Sequence, residues 1–155
     1  DGYHALFREH RVSKTYEAIA PWNPALPWPL RRETRVVPAS HFMQQREVDG
    51  PPNTLTHIAP LEVHGAFARY ELKPVTGHRH QLRVHMNALG LPIVGDGIYP
   101  VLTPEGQTDY ARPLQLLAKS IEFVDPVSGQ LRQLHSQRKL ASLAEIVNKT
   151  GHWPT

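Results

Sequence analysis

Hydrophobic and polar residues alternate along much of the chain with a period of two, the pattern of a half-buried β-strand. The alternation is clearest over residues 66–73, where Arg69 and Glu71 interleave with Ala68 and Tyr70. Similar patterns bounded by glycine and proline turns predict further strands at residues 13–20, 35–37, 42–48, 54–64, 114–123 and 130–135. The order of these segments predicts a sheet that is mostly antiparallel.

A few stretches have helical spacing instead. Over residues 78–89, Leu82 and Met86 fall on one face, and Gly90 is typical of the residue that ends a helix in a left-handed turn. Thr76 is placed where it would cap the start of this helix. Weaker patterns of the same kind predict the end of a helix at residues 3–10 and a final helix at residues 140–149.

Length and composition limit the fold further. A chain of 155 residues suits one domain, and no internal repeat or linker divides it. We therefore predict an α+β fold, a mostly antiparallel mixed sheet flanked by a few helices, in a single domain of residues 1–155. The formal charge of +3 permits a nucleic-acid partner without requiring one. The absence of cysteine excludes a disulfide framework and fits a cytoplasmic location. No apolar run is long enough to predict a membrane-spanning helix.

The predicted helix at residues 78–89 carries an unusual set of polar side chains. Arg79 and Arg83 are four residues apart, which places two like charges on one face of a helix. Gln81 and His85 lie on the other flank of the apolar face. This arrangement would suit an anion or a nucleic-acid backbone near the helix start. A solvated helix face with like charges is an equally good interpretation of the spacing alone.

The text PVTGHRHQLRVHMNALGLPIVGDGIY resembles a signature of the RluA-type pseudouridine synthases. In that family a TGR-like turn leads into HQLRVH and then into a G-x-P-I-x-G-D-x-x-Y run. Upstream, Lys14, Tyr16 and Ala18 are similar to a K-x-Y-x-A strand that follows a helix ending in LFRE-like text. The match is long and keeps its internal spacing, so it is more specific than a lone glycine motif.

The resemblance implies a cofactor-free isomerisation of uridine to pseudouridine in structured rRNA or tRNA. In the family an aspartate attacks a nucleotide flipped out of the RNA, which exposes its sugar carbon and base edge. The resemblance implies that Arg83 pairs with this aspartate and that Tyr16 lies against the target base and takes part in proton transfer. For substrate binding it singles out the nearby polar side chains Lys14, Arg79, His80, Gln81 and His85.

The family's aspartate motif, H-R-L-D-x-x-T/S-G upstream of the LFRE text, does not occur in this sequence. Asp125, in D-P-V-S-G, is interpreted as a turn former, and Asp96 as a loop anchor. We therefore expect a truncated catalytic domain that is inactive alone. His78, Pro100 and Leu117 depart from the family's usual arginine, glycine and histidine, which leaves the subgroup and the RNA target open.

Two other functions compete with this interpretation. A non-catalytic RNA-binding module would share the basic segment and the aromatic residues. A metal enzyme could use His78, His80 and His85, but the sequence lacks an H-E-x-x-H motif, so we predict no metal.

Two further segments could contact RNA. Trp22 and Trp28 lie in a proline-rich loop, where we expect them to pin the loop to the core rather than stack on a base. Arg31, Arg32 and Arg35 form the densest basic cluster, which is either a solvated surface or a phosphate contact.

Overall fold

The computed structural model describes residues 12–40, 44–100 and 113–148. Within these ranges the chain forms seven β-strands and two α-helices. The strands are β1 (Val12–Pro21), β2 (Leu30–Pro38), β3 (Gln45–Val48), β4 (Thr54–His64), β5 (Phe67–Pro74), β6 (Leu116–Val124) and β7 (Leu131–His135). The helices are α1 (Gln81–Ala88) and α2 (Leu143–Asn148). The helix end predicted at residues 3–10 and the loop predicted from Pro100 to residue 112 lie largely outside the described residues.

All seven strands belong to one sheet in the order β3-β2-β4-β5-β1-β6-β7, and every neighbouring pair is antiparallel. The predicted α+β architecture with a mostly antiparallel sheet is therefore confirmed. In the described ranges, no helix is long and apolar enough to span a membrane.

The two faces of the sheet are covered by different elements because strand side chains alternate between faces. On one face, Tyr70 and Leu72 of β5 pack against Leu82 and Met86 of α1. The other face carries a smaller cluster, made of Ile19, Phe67, Val94, Leu143 and Ile146. The central strands β1, β4 and β5 thus supply most of the buried strand side chains, and α1 lies on the face that contains the larger core.

Helix α1 is shorter than predicted, because it begins at Gln81 rather than at residue 78. His80 has φ 56° and ψ 18°, a left-handed conformation that a helix cannot continue through. Thr76 does not cap the helix: its hydroxyl donates to Gln81 Oε1 instead. The predicted placement of Arg79 and Arg83 on one helical face is therefore wrong, since Arg79 precedes the helix.

The tryptophan loop packs as predicted. The rings of Trp22 and Trp28 are stacked with centroids 5.9 Å apart, and both lie against Tyr70. Trp28 Nε1 donates to the backbone oxygen of Asn23 at 2.8 Å. Both indole rings are therefore used to attach the loop to the core.

Candidate active site

A cavity of about 240 Å³ opens between β1 and the turn that precedes α1. Tyr16 enters it from β1, next to a register irregularity between Thr15 and Tyr16 in the pairing with β6. Such irregularities change the direction of a strand side chain. The lining consists of Lys14, Tyr16, Pro74, Thr76, Gly77, His78, His80, Gln81, Leu82, Arg83 and Leu116. The structure thus brings together both residues predicted to be catalytic and three of those predicted to bind substrate.

Arg83 is held by a carboxylate within this chain. Its Nε and Nη2 donate to the two oxygens of Asp96 at 3.0 and 2.6 Å, a bidentate pair. The Asp96 side chain is 0% exposed and that of Arg83 is 16% exposed. Asp96 Oδ1 also accepts from the backbone N–H groups of Ile98 and Tyr99 at 2.8 and 3.0 Å. These two contacts agree with the interpretation of Asp96 as a loop anchor, but sequence reasoning missed its ion pair with Arg83.

One edge of the Arg83 guanidinium remains available. In the described part of the chain, Asp96 is the acceptor for Arg83, and it uses Nε and one N–H of Nη2. The guanidinium carbon lies 5.6 Å from the centre of the Tyr99 ring, a distance at which a cation and an aromatic face attract. Arg83 also lines the cavity with its side chain 16% exposed, so it places positive charge beside that space.

His80 is fixed on the same side of the cavity by Tyr99. Gln45 N donates to the Tyr99 hydroxyl at 2.8 Å, and that hydroxyl lies 3.0 Å from His80 Nδ1. Burial lowers the pKa of His80, and the nearby Arg83 charge lowers it further. The imidazole is therefore neutral at pH 7, and a hydroxyl that donates to Nδ1 leaves Nε2–H as a donor.

Gln81 lines the cavity but is only 3% exposed. Its Oε1 accepts from the Thr76 hydroxyl at 2.6 Å and from His78 N at 3.1 Å. Its Nε2 donates to Leu55 O at 3.0 Å and to Thr56 Oγ1 at 2.8 Å. These four bonds use the full capacity of the amide. Gln81 therefore joins the turn before α1 to β4, and this placement argues against the predicted role in binding substrate.

His85 lies inside the core and does not reach the cavity, since its side chain is 0% exposed. Nδ1 is 2.9 Å from Thr56 Oγ1, and Nε2 is 2.9 Å from Thr54 Oγ1 and 3.1 Å from Thr34 Oγ1. Burial lowers the pKa of His85 to about 4, although the Glu47 carboxylate opposes this shift. The placement argues against a substrate-binding role for His85, because a side chain with no exposed surface cannot contact RNA directly.

The proton on the His85 ring can be assigned from its neighbours. The Thr34 hydroxyl donates to Glu47 Oε2 at 2.9 Å, and the Thr54 hydroxyl donates to Thr34 O at 2.6 Å. Both hydroxyls must then accept from His85, so Nε2 carries the proton and Nδ1 accepts from Thr56. Every polar group of this buried cluster is satisfied, and α1 is thereby held to β2 and β4.

The basic residues outside the cavity are dispersed. Arg32 forms an ion pair with Glu47, and Arg31 Nη2 lies 3.5 Å from Glu33 Oε2. The cluster predicted from Arg31, Arg32 and Arg35 is therefore partly neutralised by acidic neighbours. Arg79 is exposed on the turn before α1, beside the cavity but not in its lining.

Asp125 forms a turn, as interpreted from the sequence. Its Oδ1 accepts from Val127 N at 2.8 Å and from Ser128 N at 3.4 Å, and its Oδ2 lies 3.3 Å from Arg132 Nε. The hydrogen bond from Val127 is the largest of the effects that lower the pKa of Asp125. In the ranges that the structure describes, no three histidine, aspartate or glutamate side chains lie close enough together to hold a metal ion.

A second cavity of about 380 Å³ adjoins the first and shares Lys14 and Tyr16 with it. It extends over β6 and β7, where Lys119, Ser120 and Leu134 contribute to its lining. Tyr16 therefore lines two neighbouring open spaces.

Comparison with known proteins identifies the family. A family model described as RNA pseudouridylate synthase matches residues 1–88. The dual-specificity RNA pseudouridine synthase RluA of Vibrio cholerae is 49% identical over 107 residues, which cover 69% of this chain and 38% of the relative. The tRNA pseudouridine synthase C of the same organism is 33% identical over 142 residues, which cover 81% of this chain and 57% of the relative.

A solved structure supports the fold. Human RNA Pseudouridylate Synthase Domain Containing 1 superposes with a TM-score of 0.69 at 23% identity, covering 96% of this chain and 69% of that chain. The chain spans roughly a third to a little over half the length of the curated relatives that it matches. Because the family model covers more than half of its residues, the chain belongs to the RNA pseudouridylate synthase family.

Proposed function

We propose that this chain is the part of an RNA pseudouridine synthase that binds the target uridine and orients the nucleophile for its isomerisation to pseudouridine. The observation that carries the proposal is that Tyr16 and Arg83, which lie 67 positions apart in the sequence, line one cavity. The aspartate motif of the family is absent from these residues. The chain alone is therefore inactive, because the covalent step requires the attacking carboxylate.

Arg83 pairs with that carboxylate in the proposed reaction. One edge of its guanidinium is occupied by Asp96, and the remaining N–H groups are free to bind a second carboxylate in the cavity. Such a pair keeps an aspartate ionised and fixes the direction of its attack. The arginine therefore contributes to rate through the position and charge of the nucleophile.

Tyr16 contacts the uracil in the proposed complex. It is half-buried on β1, and the apolar side chains of Leu82 and Leu116 line the same cavity. A base removed from its stack finds apolar and aromatic contact there. During isomerisation the bond from N1 to the sugar breaks, a bond from C5 to the sugar forms, and the proton on C5 is released while N1 gains one. The Tyr16 hydroxyl is the proposed proton carrier.

The substrate is proposed to be a structured rRNA or tRNA. The names of two relatives support this proposal, since one is called a dual-specificity RNA enzyme and another a tRNA enzyme. A cytoplasmic location and the absence of a cofactor are parts of the same proposal.

Tritium release tests the proposal, because the hydrogen on C5 of uridine leaves only if that carbon forms the new bond. RNA labelled with tritium at C5 is incubated with this chain and with the full-length gene product. Release by the full-length product and not by this chain supports the proposal. Binding of RNA without release by either protein would instead favour a non-catalytic RNA-binding module.

A further inference from the structure

We infer that Asp96 is a positioning residue for the reaction: it fixes the Arg83 guanidinium so that the remaining edge faces the nucleophile. This inference rests on the proposed function. The site then uses two carboxylates with different roles. Asp96 positions Arg83, and the nucleophilic aspartate of the family, whose motif is absent from these residues, attacks the nucleotide.

The geometry of Asp96 excludes it as the nucleophile. Both oxygens are bonded to Arg83, and Oδ1 also accepts from Ile98 N and Tyr99 N. The side chain is 0% exposed, so it has no surface from which to attack a sugar carbon. Four charge-assisted or backbone bonds leave the carboxylate rigid. A rigid carboxylate that binds one edge of a planar guanidinium determines the direction of the other edge.

Arg83 is restricted from two sides, by Asp96 along one edge and by the Tyr99 ring. Asp96 binds Nε and Nη2, and the Tyr99 ring lies 5.6 Å from the guanidinium carbon. Tyr99 is itself fixed by Gln45 N and by His80. The guanidinium therefore has one orientation before a substrate arrives, which reduces the cost of ordering the site in the transition state.

Replacement of Asp96 by asparagine separates this role from packing. The asparagine oxygen can still accept from Ile98 and Tyr99, so the local turn is retained. Its NH₂ group cannot accept from an arginine N–H, so the bidentate pair is lost. Arg83 then keeps its charge, its place on α1 and its Nη2 bond to the retained oxygen, but loses the Nε bond that completes the bidentate pair.

Asp125 provides a matched control. Like Asp96, it accepts from the backbone N–H groups two and three residues ahead and from an arginine, in this case Arg132. Its arginine does not line the cavity that contains Tyr16. Asp125→Asn therefore removes the same kind of interaction at a site that plays no part in the proposed chemistry.

The experiment compares Asp96→Asn and Asp125→Asn in the full-length gene product by tritium release. We expect kcat to fall about a hundredfold for Asp96→Asn with KM little changed, and to stay near the wild-type value for Asp125→Asn. Thermal unfolding shows whether each variant is folded at the assay temperature. A folded Asp96→Asn variant with normal kcat would overturn the inference while leaving the proposed function intact.

A second measurement on this chain does not depend on activity. The exchange of the Arg83 Nε–H proton with water is followed by NMR, with Arg83→Lys used to assign the signal. We expect exchange to be about tenfold faster or more in Asp96→Asn, since a hydrogen-bonded proton must open before it exchanges. Unchanged exchange would overturn the inference even if the full-length product proves inactive, whereas faster exchange confined to Asp96→Asn would support it.

Discussion

His85 shows at the scale of one residue how sequence and structure can suggest different roles. Its place in the HQLRVH text suggested a substrate contact, yet the ring is fully buried and bonded to Thr34, Thr54 and Thr56. A histidine and three threonines from distant segments give no sequence signal of their contact. The Arg83–Asp96 pair was missed for a related reason, since the sequence records only that the two residues are 13 positions apart.

The low pKa of His85 predicts a loss of stability in mild acid. The unfolded ring titrates near 6.5 and the folded ring near 4, so the unfolded chain binds more protons as pH falls through this interval. Stability is therefore full above pH 6.5 and declines by up to about 3 kcal/mol as pH falls to 4. Urea unfolding across this range measures the effect. We expect a flatter pH dependence for His85→Gln and an unaltered one for His57→Gln, an exposed histidine. Parallel profiles for His85→Gln and the parent chain would contradict the assignment.

At the scale of elements, the sequence predicted most strands because alternation and turn residues agreed. Strand β4 has the predicted bounds of residues 54–64. Strand β2 is longer than predicted and begins at Leu30. Its first half was not predicted, because Arg32 and Thr34 are polar at positions where a strand face is usually hydrophobic, and both bond to Glu47. The start of α1 was misplaced because His80 is left-handed, and because the Thr76 hydroxyl donates to Gln81 Oε1 rather than accepting from a backbone N–H of the first helical turn.

The four side-chain hydrogen bonds of Gln81 are expected to contribute to the stability of the protein by holding the start of α1 to β4. Gln81→Ala leaves the Thr76 hydroxyl and His78 N without their acceptor beside a nearly buried site. We expect a loss of about 2–4 kcal/mol in the free energy of unfolding, measured with urea. Gln133→Ala is the matched control, because its side chain is exposed and, among the described residues, donates to Glu122, and the substitution should cost less than about 0.5 kcal/mol. Equal effects of the two substitutions would contradict the role given to Gln81.

At the scale of the whole molecule, the two faces of the sheet present different surfaces. Arg31 pairs across the sheet with His57, and His57 with Lys73, on the face opposite the buried Ile58 and Leu72. The cavity and Arg79 belong instead to the α1 side. The net charge of +3 is modest, so the proposed binding of RNA depends more on where the cations lie than on their number.

Arg79 is expected to contact a phosphate of the bound RNA, whereas Arg31 is not. For Arg79→Ala in the full-length gene product, the slope of log affinity against log salt should fall by about 0.7. Arg31→Ala removes an equal charge from the other face, where the side chain is 61% exposed, and should leave the slope unchanged. RNA-binding titrations at several salt concentrations measure both. A larger change in slope for Arg31→Ala than for Arg79→Ala would contradict this prediction, because it would place the RNA on the face of the sheet opposite the cavity.

The single-turnover rate of Arg83→Ala tests the central claim most directly. The full-length gene product and its variant are each mixed in excess with RNA labelled at C5 of uridine, and tritium release and RNA affinity are measured together. We expect the rate of release to fall about a thousandfold with RNA affinity little changed, because the arginine orients the nucleophile rather than holding the RNA. Weaker RNA binding with a normal rate of release would contradict the claim.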